Sequence, residues 1–559
     1  MTAPRSERPR PGRALIGLIV DHRRIAAWQA EALRTIADDY ELVVLDCTNS
    51  KSRRRPFRHA LYYLINLVAL KTPRTRAVAI PAELRIRQTT SFEADEHQGW
   101  QALPDALTAD LDAMAPVAVI KFGMGLLRVP ERLAAPILSY HHGDPRRFRG
   151  RPAGFYELMA GAPLLGQIIQ ILTNRLDAGP VLAFAETRVH RHSYRATMDE
   201  AYRCSPLLLR RALLNAACGT ELPLSPSGRN HRLPGNATVV RWTAAMLLAK
   251  LKRLAFAAVF EKAWQVAEAP AAGDPRALIE RFPPPSAWRI AHRPRRYRFL
   301  ADPFPHGRGI VAEALRAADG QGEIVYFEGS SIVTICSGRG HFSYPATVRS
   351  DGSTFLIPEV AEWSSPLVFE MSASDAEPVG ELDIPGRPRL IDPTILSHQD
   401  GNVYLFANRM TDGPGVLRLW VAGGLFAAFA EHPESPIRIS PRGARMAGAI
   451  QSTRDGLFRF GQDGSRDYGD GVVLYEIAQL SPSTYREAEV GVLRFEHVKG
   501  PHTVNLTGDG CLFDFYRNRW SLLAGVRRLQ SRLVKRRVAA LPPADPPGGR
   551  TPPNKARAR

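Results

Sequence analysis

Cysteine is scarce. There are five in 559 residues, at 47, 204, 218, 336 and 511, odd in number and never in Cys-x-x-Cys spacing. Thiols scattered in this way exclude a disulfide framework and a cysteine zinc centre, and they point to a reducing, cytoplasmic setting. Long apolar runs are missing too: no stretch of about 18 uncharged apolar residues occurs, so no spanning helix is expected. No Gly-x-Gly-x-x-Gly follows the first strand-like run at 14–20, which removes the support for a bound dinucleotide. That run follows a basic, Pro-rich start but ends at Asp21 without a cleavage pattern, so it reads as a strand and not as a secretory signal. Acids are outnumbered, with 55 Asp and Glu against 74 Lys and Arg for a net charge of +19. The excess is local: residues 517–559 hold 12 Lys and Arg and one acid, and residues 1–13 hold four Arg and one Glu. A nearly neutral body argues against nucleic acid. The tails read first as solvated segments and next as a peripheral contact with an anionic membrane surface.

What is present is enough chain for about two to four domains. Residues 14–47 read as strand, helix and strand (ALIGLIV, AAWQAEALRTIA, ELVVLDC), the opening of a Rossmann-like α/β unit. Further strands are expected at 117–120, 166–172 and 180–185, and helices at 57–70 and 198–218. Residues 220–240, rich in Pro, Gly, Ser and Asn, read as a linker. The segment 242–260 reads as an amphipathic helix, used either to pack two domains together or to lie in a membrane interface.

The most informative stretch of the α/β part is 139–157, SYHHGDPRRFRGRPAGFYE, with its distant partner LDAGPVL at 176–182. In a strand, Ser139 and His141 share one face, Tyr140 and His142 the other. Glycines at 143 and 150 allow close backbone approach to a ligand.

These residues resemble the folate-dependent formyltransferases, whose N-terminal domain carries a strand ending in Asn-x-His, a loop ending in Arg-Gly and a later Leu-Asp-x-Gly. The resemblance covers residues 14–218. It aligns His142 with the family histidine, Tyr140 with its asparagine, Arg149-Gly150 with the loop end and Asp177 with its aspartate; the loop after Gly143 is then one residue short. It implies formyl transfer from 10-formyltetrahydrofolate to an amine, with no metal. His142 would take the amine proton, Asp177 would orient the imidazole and Tyr140 would donate to the oxyanion. Phe122, Gly123, Gly143, Asp144 and Gly179 would lie against the folate, and Arg149 against the acceptor.

From residue 300 the chain repeats. Asp-Gly turns at 351, 400, 455 and 509 recur every 49 to 55 residues, each followed by an aromatic-rich strand. Strand, tight turn and strand at that period predict an all-β five-bladed propeller. First strands of blades line a central channel, so Asp302, Asp392, Arg445 and His502 are expected to converge there, with Glu359 and Gln462 on neighbouring strands. Carboxylates at a channel mouth would resemble the layout of five-bladed glycoside hydrolases, where paired acids do glycosidic chemistry. The run ADPF, SYP, IPE, IDPT, RMAG, GPHT is similar to the N-terminal domain of plant glucosamine inositolphosphorylceramide transferase over 260–517, which implies glycan or glycolipid recognition.

The expected organisation is a basic tail (1–13), a formyltransferase-like domain (14–219), a linker and helix (220–260), a propeller (261–517) and a basic tail (518–559). Two readings stay open. One is transfer of a formyl group to an amino-sugar held by the propeller. The other is a glycan-binding or glycan-processing propeller whose formyltransferase-like domain is inactive.

Overall fold

A computed structural model describes residues 13–49, 56–271, 273–372 and 374–540. Most of the N-terminal tail and residues 541–559 therefore lie outside the described residues. The chain divides into two compact units, with the boundary between Lys250 and Leu251.

The first unit is built on one sheet whose main strands run, in spatial order, Ile86–Phe92, Tyr40–Cys47, Ala14–Asp21, Ala118–Lys121, Ile137–His141, Leu164–Ile171 and Val181–Arg188. The first five are parallel and the last two antiparallel. Ala14–Asp21 is central because it is apolar on both faces, and residues 15–20 are all buried. Tyr194–Cys204 starts at Ser193, whose hydroxyl accepts the Ala196 N–H at 3.1 Å, and Leu208–Ala217 follows. Part of the expected linker is ordered instead: Arg229–His231 pairs in parallel with Phe148–Gly150, on the motif loop itself.

The second unit holds five antiparallel sheets in chain order. The first four start at Tyr297–His306, Phe342–Ser350, Leu390–Ser397 and Arg442–Met446. The fifth joins the two ends of the unit, with Phe260–Pro270 paired along its whole length to Gly510–Trp520. Each Asp-Gly lies at a hairpin, but only Asp351-Gly352 is itself the two-residue turn. At the third and fourth the turn residues are Arg454-Asp455 and Gly508-Asp509, and the second lies in the longer 398–402 loop. Asp351 and Gly352 have φ of 50° and 82°, as a two-residue type I′ hairpin between Ser350 and Ser353 requires.

Each of the first four initial strands carries a bulge, skipping the ladder at 302–303, 344–345, 392–393 and 443–444. The first skipped residue always has positive φ: Asp302 50°, Tyr344 43°, Asp392 48°, Gly443 83°. Three of these are not glycine, and such strain persists only where the surroundings over-determine it. Successive initial strands touch, and Tyr344 of the second sheet reaches the Gly448 N–H (2.9 Å) beyond the fourth sheet's initial strand.

A fully buried Arg459 on the fourth sheet forks onto Glu487 at 2.5 and 2.8 Å, and Arg438 meets the same carboxylate at 2.6 Å. Burial opposes ionisation of Glu487, but the two guanidiniums outweigh it and hold the carboxyl at about 2. Its contribution is therefore present above the unfolded value near 4.5 and is lost as pH falls toward about 2. Glu487→Gln is expected to cost ~3–5 kcal/mol at pH 7 in denaturant melts and to flatten the acid limb of the stability curve.

Candidate functional site

In the first unit the parallel strand Ile137–His141 lies between Ala118–Lys121 and Leu164–Ile171, pairing Ser139 with Lys121 on one side and Gln170 on the other. Strand alternation gives Ser139 and His141 a common face. His141 Nδ1 lies 3.4 Å from Asp177 Oδ1, and Asp177 Oδ2 accepts the Gly150 N–H at 2.9 Å. Burial lowers the His141 pKa, and the Asp177 charge opposes the shift. Its Nε2 is buried without a hydrogen-bond partner. Lys121, half-buried at the next strand's end, has its pKa lowered by desolvation against the charges of Asp21 and Asp177.

His142 is therefore not the imidazole beside Asp177, contrary to the family alignment. It lies on the other side of the strand, where Nε2 is 2.8 Å from Ser205 Oγ and the ring packs on Trp28 and Tyr202. Burial, then the His141 charge, lowers it to about 3, so it is a neutral core histidine. Tyr140 goes with it: its hydroxyl is buried without a partner and its ring packs on Trp28 and Phe122. Ser139, not Tyr140, stands two residues before the Asp177-facing histidine, and the loop from His141 to Gly150 is no longer a residue short.

The folate-contact residues have local roles. A Cβ on Gly123 would meet the Val20 backbone at 2.4 Å, one on Gly143 would meet His141 Nε2 at 2.7 Å, and one on Gly179 would meet the Ile171 carbonyl at 1.7 Å. Asp144 is engaged by Arg146 at 2.8 Å, and Arg149 donates to the Gly228 carbonyl at 2.8 Å. Sequence reasoning missed His231, stacked on Tyr156 at 4.0 Å, and Glu157, a buried carboxyl pushed up to about 7 by burial. Both line the crevice at His141. That crevice has a volume of about 10 Å³, room for about one water. A larger cavity of about 390 Å³ shares Pro152 with it and is lined by Tyr62, Tyr63, Arg151, Tyr194 and Tyr202.

In the second unit the bulges aim side chains at one another. Asp514, fully buried, accepts the backbone N–H of Asp302 (3.0 Å), His502 (3.0 Å) and Thr503 (2.7 Å). His502 Nδ1 lies 3.0 Å from Asp302 Oδ1 and 3.3 Å from Asp514 Oδ2. Thr503 donates its hydroxyl to Asp302 at 2.6 Å. Burial disfavours the imidazolium, yet the two carboxylates outweigh it and raise His502 to about 10. One ligand atom from each of Asp302, His502 and Asp514 lies within 4.8 Å of the others, close enough to hold a cation. His502 Nε2 is buried and unpartnered.

Beside it, Arg445 forks onto Asp392 at 2.5 and 3.0 Å, and Gln462 donates to the same carboxylate at 2.9 Å. Glu359 accepts the Asp392 N–H at 3.0 Å; burial and the Asp392 charge raise its pKa well above the usual range. Tyr468 joins the two networks, lying under the Arg445 guanidinium (5.3 Å) and against the His502 ring (4.7 Å), and is 40% exposed. The structure thus brings Asp302 and His502 into one network and Glu359, Asp392, Arg445 and Gln462 into the next. Asp514, Thr503, Tyr468 and Trp264, whose ring is 4.9 Å from His502, were missed. Only Asp514, a lone acid in the run CLFDFY, left a signal.

Residues 331–509 match the family model described as glucosamine inositolphosphorylceramide transferase 1, N-terminal. The match takes in Glu359, Asp392, Arg445, Gln462 and His502 but not Asp302 or Asp514, and it is narrower than 260–517. The chain is 29% identical over 171 residues to the Oryza sativa subsp. japonica protein named glucosamine inositolphosphorylceramide transferase 1, covering 30% of this chain and 23% of that protein. It is 28% identical over 156 residues to the Arabidopsis thaliana protein of the same name, covering 27% and 20%. The chain thus spans about a quarter or less of the length of these relatives. Among solved structures, a family 117 glycoside hydrolase from Zobellia galactanivorans overlaps at a TM-score of 0.29 and 11% identity, covering 39% of this chain and 83% of that one. Phosphoribosylglycinamide formyltransferase from Anaplasma phagocytophilum overlaps at 0.25 and 15%, covering 37% and 89%. Overlaps that small carry no assignment; part of the second unit is similar to the N-terminal region of a plant glycolipid transferase.

Proposed function

We propose that the first unit transfers a formyl group from 10-formyltetrahydrofolate to the amino group of an amino-sugar, in the cytoplasm, and that the second unit holds the glycan. The observation that carries this reading is the His141–Asp177 pair, with the Gly150 N–H fixing the carboxylate. A neutral imidazole, its Nε2 making no well-formed hydrogen bond and with the Phe148 carbonyl near the ring to favour the imidazolium, is the base that amine attack needs. The amine nitrogen forms a bond to the formyl carbon while Nε2 takes its proton; Asp177 supports the imidazolium. The tetrahedral intermediate then expels the folate nitrogen, which recovers the proton, leaving a formamide and tetrahydrofolate. We assign the donor's ring to the aromatic cavity of about 390 Å³, a volume within the small-molecule range. The loop through Gly143 has to open, because the crevice at His141 holds about one water.

The test is calorimetry with a non-hydrolysable 10-formyltetrahydrofolate analogue. Micromolar binding by the whole chain supports the reading, and absence of binding by wild type and Asp177→Asn alike sinks it. Because Ser139 stands where the family carries its amide, Ser139→Asn is expected to raise transfer about a hundredfold, the worth of one oxyanion donor, while Tyr140→Asn does not.

For the second unit we propose a five-bladed propeller. Five antiparallel sheets in sequence, initial strands that touch in order and a last sheet joining both ends of the unit support that closure. The alternative function, glycan binding or processing with an inactive first unit, is favoured by one observation: the unpartnered His502 Nε2 beside the Glu359–Asp392 pair. Under it, Asp392→Asn abolishes glycan binding or cleavage and Asp177→Asn changes nothing.

A further inference from the structure

The 24-residue helix Asn236–Val259 buries only two of its residues, Val239 and Trp242. In the second unit its last turns expose Leu251 (63%) and Leu254 (51%), with Lys252 and Arg253 on the other side of the helix. The C-terminal helix Ala524–Ala540 starts beside them. Ser521 donates its N–H to the Val259 carbonyl at 2.8 Å, Arg528 to the Phe260 carbonyl at 2.7 Å, and Arg527 pairs with Glu261 at 2.9 Å. Along this second segment Leu522, Val526, Leu529 and Leu533 recur at four-, three- and four-residue spacing and are all at least half exposed. That is a single apolar stripe at the helical period, left exposed among the described residues. Trp520 stands exposed at its start.

Apart from Glu261, which pairs with Arg519 and Arg527, the charge around the two stripes is positive. No Asp or Glu occurs between Trp242 and Phe260 or between Arg517 and Ala544, in a chain that holds 55 of them. A second copy of this face would set cation against cation. An anionic lipid surface supplies both missing partners, acyl chains for the leucines and headgroup charge for Lys and Arg. Among the described residues no helix is long and apolar enough to cross a membrane, so the helices would lie in the interface. We infer that the end of the Asn236–Val259 helix and the Leu522–Leu533 stripe form an interfacial anchor for anionic membranes. The inference does not depend on the proposed reaction.

The whole chain is cosedimented with vesicles of phosphatidylcholine, alone or mixed with phosphatidylglycerol. Binding is expected only to the anionic vesicles and should weaken with salt. Replacing Lys252, Arg253 and Arg532 together with Gln is expected to lower the partition coefficient by about a hundredfold. Leu251→Glu with Leu529→Glu should lower it further while the circular dichroism spectrum is unchanged. If the leucine variant does not fold, the glutamine variant carries the test. Three results overturn the inference: no binding by wild type, equal binding to neutral and anionic vesicles, or a wild-type dimer that Leu529→Glu dissociates.

Discussion

His141→Ala is expected to lower formyl transfer by about three orders of magnitude, the range of a positioned general base, whereas His142→Asn leaves kcat within a few-fold and costs stability. The two histidines are adjacent in sequence and chemically opposite in place. His141 touches Asp177, and its Nε2 makes no well-formed hydrogen bond in the crevice. His142 is held by Ser205 and enclosed by Trp28 and Tyr202, and a base held down to about 3 does not take a proton from an amine at neutral pH by titrating. Asp177→Asn should match His141→Ala in kcat with KM little changed, since Asp177 acts through the imidazole. The assay is single-turnover transfer from 10-formyltetrahydrofolate to an amino-sugar; equal loss from both histidine variants would return the base to position 142.

The second large effect lies in the other unit. Asp514→Ala removes the acceptor of three backbone N–H groups and one of the two carboxylates at His502, and is expected to destabilise the unit by ~3–5 kcal/mol. Its pH dependence has a definite sign. The folded-state value of His502, about 10, lies above the unfolded value near 6.5, so the ion pair's contribution is complete below about pH 6.5 and is lost as pH rises through about 10. Urea melts at pH 6, 8 and 10 should show stability falling across that window, and His502→Gln should remove the slope. A wild-type profile flat from pH 6 to 10 would mean the imidazole is neutral in the fold.

The two sites differ in how far they could be read from residues. Six of the seven main strands of the first unit announced themselves by apolar runs, and the alternation of Ser139, Tyr140, His141 and His142 already separated the two faces. The seventh, Ile86–Phe92, is the mostly exposed polar run IRQTTSF and left no such signal. What misled was alignment to a motif with two candidate histidines side by side. Choosing between them needs the position of Asp177, 36 residues further on, and a strand at Arg229–His231 that composition presents as linker. Glu157 and Lys121 carry no signal, since their pKa shifts come from burial by distant segments.

In the second unit the repeat is a local property. Asp-Gly pairs mark hairpins locally, so period and hairpins were legible, though only Asp351-Gly352 adopts positive φ at both residues. Asp302, Glu359, Asp392, Arg445, Gln462 and His502 were legible as candidates for a common site. Which partners they would meet was not, although Asp514 stood out as a lone acid in CLFDFY. Asp514 meets Asp302 across more than two hundred residues, and Tyr468 links Arg445 to His502 from a loop with no pattern.

By itself, the sequence determined most of the strand and helix periods, the recurring Asp-Gly spacing and the excess of Lys and Arg around the two exposed leucine stripes, because each follows from the order of neighbouring residues. Tertiary structure alone decided which histidine faces Asp177 and which acids face His502. Those outcomes depend on burial and on charges brought together from distant segments, at distances of a few ångströms that no local pattern encodes.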